Sequence, residues 1–196
     1  MLLNWDRLNL IRTKIESLTI EYEYRGEKRK RIKTRECEDL ILEWLIDCYL
    51  MGEADARQQL GHPVTEGMET EEQHRTATEA MYATIFRKID GKTFEERVSE
   101  YAGEGDVESI MRVAETEATR DFNESSLNTA KRLGATTKTW MTMNDDRVRE
   151  THSYLESMTV GIDDEFYTFD GDHAMAPGGF EDAANNVNCR CTISYR

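Results

Sequence analysis

The chain has 196 residues, of which 38% are hydrophobic and 33% charged, and its formal net charge is −14. Three Trp, eight Tyr and six Phe are too many for a disordered chain, so we expect a folded protein. No apolar run approaches the roughly 18 residues that a membrane span needs, which predicts cytosolic synthesis and no membrane partner. The negative charge excludes general coating of nucleic acid, because it repels a polyanion over most of the surface.

The first third of the chain has helical patterns interrupted by one predicted hairpin. Apolar residues recur at helical spacing over residues 2–18. Alternation over 19–24, a break at Arg25-Gly26-Glu27 and a second run through 31–33 then predict a hairpin near residues 19–33. A broad apolar face over 36–60 predicts a long helix that ends before Pro63.

Two further helices are predicted before residue 105. The first covers residues 70–90. The second is shorter and begins after Thr93, which forms a predicted capping box with Glu96.

The segment 25–35 is strongly basic, in contrast with the rest of the chain. Such a patch can contact phosphate or an acidic partner surface, with Arg29, Lys30, Arg31 and Lys33 as the candidate contacts. The alternative is a solvated hairpin tip or helix entry without a partner.

The four cysteines are not the framework of a secreted domain, so reduced thiols or metal ligands are expected. Cys37 and Cys48 share the apolar face of the helix predicted at 36–60. We therefore expect both to be core residues that behave as small hydrophobes.

The pattern changes after residue 105. Asp106 begins a predicted helix that continues to residue 133 and ends at Gly134. Residues 136–142 are rich in β-formers, and a short helix is predicted over 145–155 with Asp145 or Asp146 as its cap. The predicted fold is α+β, with an N-terminal helical assembly (1–105) packed as one unit with a small mixed α/β C-terminal module (106–196).

The chain ends with Asn188-Cys189-Arg190-Cys191 close to its last residue. Alternate residues of an extended segment point to the same face, so both sulfurs could reach one ion. His152 would be a third ligand, with Asp146, His173 or another carboxylate as the fourth, in a tetrahedral zinc site. A C-x-C pair is a weak metal signal, and structural packing or a disulfide of strained geometry are the alternatives.

The order of several C-terminal motifs resembles that of the phage head morphogenesis family, the Mu F-like minor head proteins of tailed bacteriophages and prophages. The resemblance covers roughly residues 106–196 and combines a D-x-R-x-x-H-like element with the later N-C-R-C element. Its signature residues outside the cysteines and histidine are Glu117, Asn128, Trp140, Arg149, Pro177 and Asn188. Glu115 departs from the family pattern, which usually has Arg before Thr-Glu.

The resemblance implies a structural minor capsid protein without catalysis, located at the portal and the capsid interior of the virion and in the host cytoplasm during assembly. Its partner would be the portal protein, together with the major capsid or scaffold protein, and its role would lie in head assembly or in DNA packaging and ejection. DNA contact would be weak or local. The resemblance also implies that His152, Cys189, Cys191 and Asp146 could bind a metal, with zinc as the candidate cofactor.

The alternative function is a metal-dependent hydrolase or nuclease that uses the same four ligands, with Glu150 as general base. Two thiolates would lessen the Lewis acidity of the ion, and the sequence offers no evident oxyanion donor.

Overall fold

A computed structural model describes residues 5–64 and 70–196. The chain begins with helix α1 (Trp5–Ser17), strands β1 (Thr19–Tyr24) and β2 (Glu27–Ile32), and helix α2 (Thr34–Gln59). The start of the helix predicted at residues 2–18 lies outside the described residues. The predicted hairpin is confirmed: β1 and β2 are antiparallel, and Arg25 and Gly26 both have positive φ in the two-residue turn between them.

Helices α3 (Glu71–Phe86) and α4 (Phe94–Glu104) follow. The capping box of Thr93 and Glu96 is confirmed. The prediction of a helix over 70–90 is too long, because α3 ends at Phe86 and the backbone of Arg87 is extended. The Arg87 guanidinium donates to the Glu117 carboxylate at 2.8 Å.

The long helix α5 (Val107–Arg132) packs along α2 through the centre of the molecule. The two backbones approach each other closely at Gly52, where a Cβ atom would lie 2.1 Å from the carbonyl oxygen of Phe122. Asp106 caps α5 by accepting from the Ser109 N–H, as predicted. Gly134, just beyond the helix, has φ +86, which a glycine adopts without strain.

The remaining elements are short: β3 (Thr137–Met141), α6 (Glu150–Leu155), β4 (Thr159–Gly161), β5 (Phe166–Tyr167), β6 (His173–Ala174), α7 (Ala183–Asn186) and β7 (Thr192–Tyr195). An antiparallel sheet has the order β4-β3-β7, and β5 pairs with β6. The fold is therefore α+β, as the sequence predicts.

The helix predicted at 145–155 is wrong in its first half, because α6 begins only at Glu150. Asp145 does not cap it. Its carboxylate accepts instead from the Arg147 N–H, and its carbonyl accepts from the Val148 N–H, so the segment before Arg149 is a turn.

Two hydrophobic cores lie along α5. The first contains side chains of α1 to α4 and the N-terminal half of α5, and it includes Cys37 and Cys48 as predicted. Burial raises the pKa of the Cys37 thiol to about 12. The second core combines Ala56 and the C-terminal half of α5 with Trp140, Phe166 and other residues of the C-terminal elements. Among the described residues, no helix is long and apolar enough to cross a membrane.

Candidate metal centre

His152 of α6 and the two cysteines before β7 form one buried group. Nδ1 of His152 lies 3.4 Å from Sγ of Cys191 and 3.7 Å from Sγ of Cys189. All three side chains are buried. The structure thus brings together three of the four metal ligands that the sequence proposes.

The two thiols are unequal. Hydrogen bonds from Cys191 and His152 hold the pKa of Cys189 well below its usual range, although burial opposes this effect. The pKa of Cys191 is raised, first because its proton is shared with Cys189 and second because it is buried. The thiolate is the form that binds metals, so Cys189 is the readier ligand.

The distances between these atoms fit a tetrahedral zinc ion. With Zn–S bonds of about 2.3 Å and Zn–N bonds of about 2.05 Å, a tetrahedral ion separates nitrogen from sulfur by about 3.6 Å. The observed separations of 3.4 and 3.7 Å lie on either side of that value. A direct hydrogen bond between thiol and imidazole accounts for the same distances, so the geometry is compatible with both states.

The described part of the chain offers no fourth His, Cys, Asp or Glu to this group. Asp146 is exposed and outside the group. His173 lies at β6 with its Nδ1 atom 3.2 Å from the Glu165 carboxylate. A fourth metal ligand would therefore be water, and the cavity beside the cysteines, of about 10 Å³, is about the size that one water requires.

Helix α5 fixes the backbone of both cysteines. The Thr119 hydroxyl donates to the carbonyl of Cys189 at 2.9 Å, and the Asn123 amide donates to the carbonyl of Cys191 at 3.1 Å. Both side chains are buried. These two buried hydrogen bonds therefore hold the backbone of the cysteine segment at a fixed position against α5.

The signature residue Arg149, at the start of α6, binds the segment that leads into the cysteines. Its guanidinium donates to the carbonyl of Ala184, within α7, and to that of Val187, just after α7. Thr151 adds a hydrogen bond of 3.0 Å to the side chain of Asn185. These contacts dock α7 on the helix that carries His152.

The N-C-R-C turn has two further constraints. Asn188 has φ +58, a conformation that Asn tolerates better than most residues, and this reverses the chain just before Cys189. Arg190 donates from both terminal nitrogens to Asp145, at 2.8 and 2.7 Å. The Arg190 side chain thus holds the cysteine segment against the turn that precedes α6.

The loop between β6 and α7 covers the other side of His152. Phe180 stacks on the imidazole with ring centroids 5.4 Å apart, and Trp140 of β3 packs edge-on to the imidazole at the same distance. Nε2 of His152 is buried there without a hydrogen-bond partner among the described residues. Asn186 exchanges two hydrogen bonds with the backbone of Phe180 and so fixes the position of that ring.

Asp172 organises the same loop. Burial disfavours its charge, but hydrogen bonds from the Asn185 amide and the backbone N–H groups of His173, Glu181 and Asp182 lower its pKa. The carboxylate therefore stays ionised and closes the loop around Phe180.

Gly178, which follows the signature residue Pro177, lies against α5. Pro177 is buried, and a Cβ atom at Gly178 would lie 2.9 Å from both Cα and Cβ of Arg120. Gly178 also has φ +84. The loop can touch α5 this closely because Gly178 has no side chain.

Lys138 of β3 is buried and donates to the carbonyl of Met175 at 2.8 Å, with its ammonium over the Phe166 ring. Burial lowers the pKa of Lys138 to about 8. Together with Trp140 it joins the sheet to the loop that covers His152.

Two signature residues on α5 lie in different environments. Glu117 is fully buried and accepts from Arg97 at 2.5 Å and from Arg87 at 2.8 Å. Asn128 is exposed. Glu117 is buried because α4 and the segment after α3, which carry its two arginine partners, cover the first half of α5.

The basic residues Arg29, Lys30, Arg31 and Lys33 are all exposed on or beside the hairpin, in the N-terminal part of the molecule. They belong to a separate surface and do not contribute to the metal centre.

Sequence reasoning missed the roles of Thr119 and Asp172. Thr119 has no recognisable signal, because a hydroxyl within a helix usually bonds its own backbone. For Asp172 the sequence does contain a signal: it lies in a segment with several Gly and one Pro, where an Asp carboxylate commonly accepts hydrogen bonds from turn backbone.

Comparison with known proteins matches residues 57–194 to the family described as Phage Mu protein F like protein. The chain is 35% identical over 115 residues to the NAD(+)--arginine ADP-ribosyltransferase EFV of Enterococcus faecalis, a match of 57% of this chain and 21% of that protein. It is 33% identical over 58 residues to the minor head protein GP7 of Bacillus phage SPP1, which is 30% of this chain and 19% of that protein. The chain thus spans about a fifth of the length of these curated relatives, and no solved structure matches it.

The family match begins in α2 and covers well over half of the chain, including the metal centre and every residue that positions it. The chain therefore belongs to the Phage Mu protein F like family of phage head morphogenesis proteins.

Proposed function

We propose that this chain is a structural minor head protein of a tailed phage or prophage. It associates with the portal protein at the capsid interior and contributes to head assembly or to DNA packaging and ejection. The observation that carries the proposal is the family match over residues 57–194, supported by the similarity to a protein named as a minor head protein.

The buried site favours a structural role over catalysis. His152, Cys189 and Cys191 are each less than 5% exposed, and the adjacent cavity of about 10 Å³ is about the size that one water requires. Glu150, the candidate general base, is exposed at the start of α6. A hydrolase would need a site that its substrate can enter.

The geometry supports a closing function for the cysteines. The chain returns from α7 to β7 across α5 and α6, and the contacts of Thr119, Asn123 and Arg149 hold it there. We propose that zinc bound by His152, Cys189 and Cys191 strengthens this closure, because an ion that joins distant segments stabilises the folded state. The ion would supply a structural cross-link between α6 and the C-terminal strand.

ADP-ribosylation is not part of the proposal. The match to the Enterococcus protein covers only 21% of its length, and its name describes the whole protein.

Co-expression with the portal protein of the same phage or prophage tests the proposed function. The two proteins should co-elute on size exclusion, and mass spectrometry should find the chain in purified virions. The portal protein of an unrelated tailed phage is the control and should elute separately. Separate elution from the cognate portal, together with absence from virions, would overturn the proposal.

A further inference from the structure

The hairpin of β1 and β2 projects from the molecule as a basic ribbon, which we define as residues 19–33. Every residue from position 21 to position 31 is exposed. The second strand of the ribbon is anchored through buried Ile32 and through Lys30, whose Cβ would lie 2.9 Å from a Cβ atom added at Gly105.

Charge sets this ribbon apart from the rest of the protein. The ribbon contains six Lys or Arg and three Glu, a net charge of +3, whereas the other 181 residues together carry −17. A partner of this surface is therefore anionic, and its attraction is confined to the ribbon.

The two faces of the ribbon differ. On one face, Glu21 and Glu23 lie opposite Lys30 and Lys28, so acidic and basic groups alternate and largely cancel. The cross-strand pair Tyr22 and Arg29 lies on the other face, because directly opposed residues of an antiparallel pair point the same way.

Tyrosine rings support the arginines of this second face. The Arg31 guanidinium lies 5.8 Å from the centre of the Tyr22 ring. Arg29 and Arg25 lie 5.1 and 5.3 Å from the centre of the Tyr24 ring. Cation-π contacts restrict these side chains, so less conformational entropy is lost when a ligand binds them. The single acid on this face, Glu27, pairs with Arg29 at 2.9 Å.

We propose that this Tyr/Arg face binds the phosphate backbone of duplex DNA without sequence preference. Arg29 and Arg31 stand two residues apart on one strand, about 6.8 Å, which suits neighbouring phosphates along a DNA strand. The planar fork of each guanidinium matches phosphate oxygens. Because the rings are covered by guanidinium groups, they support the arginines and do not stack on bases.

The charge of −17 on the rest of the protein makes this contact weak and dependent on salt. Three phosphate contacts, by Arg25, Arg29 and Arg31, predict a slope of log affinity against log salt of about −2.7. Affinity should accordingly fall about 40-fold between roughly 50 and 200 mM salt.

This inference deepens the proposed function, since a head protein inside the capsid meets packaged DNA, but its test uses the isolated full chain. Failure of DNA binding would leave the portal association intact, and failure of portal co-elution would leave DNA binding intact. The two proposals can therefore fail separately.

The experiment is fluorescence anisotropy of a labelled duplex of about 20 base pairs, titrated with the full chain at several salt concentrations. The double variant R29A/R31A should bind at least tenfold more weakly at low salt and reduce the slope to about −0.9. R75A/K88A removes the same charge from exposed positions away from the ribbon and should retain the wild-type slope. Circular dichroism melts should show that both variants fold, since all four side chains are exposed.

Absence of an anisotropy change for the wild type at low salt would overturn the proposal, as would equal weakening by R29A/R31A and R75A/K88A. A labelled polyglutamate peptide of matched charge provides the second arm. If the wild type binds this peptide as tightly as DNA, and R29A/R31A abolishes that binding, the ribbon belongs to an acidic protein partner and the DNA assignment is wrong.

Discussion

Gly178 lies directly on the backbone of Arg120, where a Cβ atom would come within 2.9 Å of the Cα and Cβ atoms of that residue. The contact joins the loop that carries Phe180 to the middle of α5, and Phe180 in turn covers His152. The spacing between loop and helix thus influences how tightly the metal centre is closed.

The substitution Gly178→Ala should therefore lower the free energy of unfolding by about 2–4 kcal/mol, because it adds a steric clash to the cost of a positive φ. Gly171→Ala is the matched control. Gly171 has φ +93, but no atom lies within 4 Å of a Cβ added there, so its substitution should cost only the energy of the backbone conformation, about 1–2 kcal/mol. Urea denaturation measures both. Equal losses in the two variants would show that the contact with Arg120 contributes nothing.

Glu117→Gln should destabilise the fold by about 2–4 kcal/mol, because two largely buried arginines would lose the carboxylate that they share. The control is Glu108→Gln, which removes a carboxylate that is 71% exposed from its pair with Arg12 and should cost less than about 1 kcal/mol. Chemical denaturation at constant pH and salt compares the two. A loss at Glu117 no larger than that at Glu108 would contradict a structural role for this signature residue.

Much of the helical part is predictable because its signals are local. Asp106 and the pair of Thr93 and Glu96 cap helices through atoms three residues away, so the sequence is sufficient to locate them. The group of His152, Cys189 and Cys191 was predictable for a different reason, since its residue types are characteristic of metal ligands.

The remainder depended on distant contacts. Asp145 looked like a helix cap, but Arg190, 45 residues later, binds its carboxylate and α6 starts further on. The burial of Glu117 depends on two arginines from other segments, Arg87 and Arg97, which bind its carboxylate. The pattern of residues along one segment carries no information about such distant partners. For the same reason the sequence could not show that the side chain of Asp146, a candidate metal ligand, is exposed.

Asp121 should make the stability of the protein depend on pH. Its carboxyl is buried on α5, with one oxygen bonded to Thr84 and the other without a partner, and burial followed by repulsion from Glu117 raises its pKa to about 8. Arg87 lowers this pKa and Glu124 raises it, but both effects are smaller. In the unfolded chain the group ionises near pH 4.

Between about pH 4 and pH 8 the folded state therefore binds one more proton at this site than the unfolded state, so the contribution of Asp121 to stability falls as pH rises, by about 1.4 kcal/mol per pH unit. Asp121→Asn keeps the acceptor for Thr84 and should remove this slope, becoming more stable relative to the wild type at pH 7 than at pH 5. The surface variant Glu104→Gln should retain the wild-type slope. Parallel slopes in wild type and Asp121→Asn would contradict the assignment.

Measurement of bound zinc distinguishes a metal ion from direct hydrogen bonds between His152 and the two cysteines. If zinc binds there, protein purified from zinc-supplemented cells should carry about one equivalent, measured by inductively coupled plasma mass spectrometry, and Cys189→Ser should lose it because a hydroxyl is a poor replacement for a thiolate. Cys48→Ala is the control, since Cys48 is equally buried but lies in the other core. Its zinc content should be unchanged.

Zinc binding should also couple to folding. An ion that binds only the folded state stabilises it by about 2.7 kcal/mol when its free concentration is 100 times its dissociation constant, so a chelator should lower the melting temperature of the wild type and of Cys48→Ala but not of Cys189→Ser. Wild-type protein that contains no zinc and melts identically with and without chelator would exclude the ion. The 3.4 and 3.7 Å contacts of His152 would then be thiol hydrogen bonds that close the C-terminal strand by themselves.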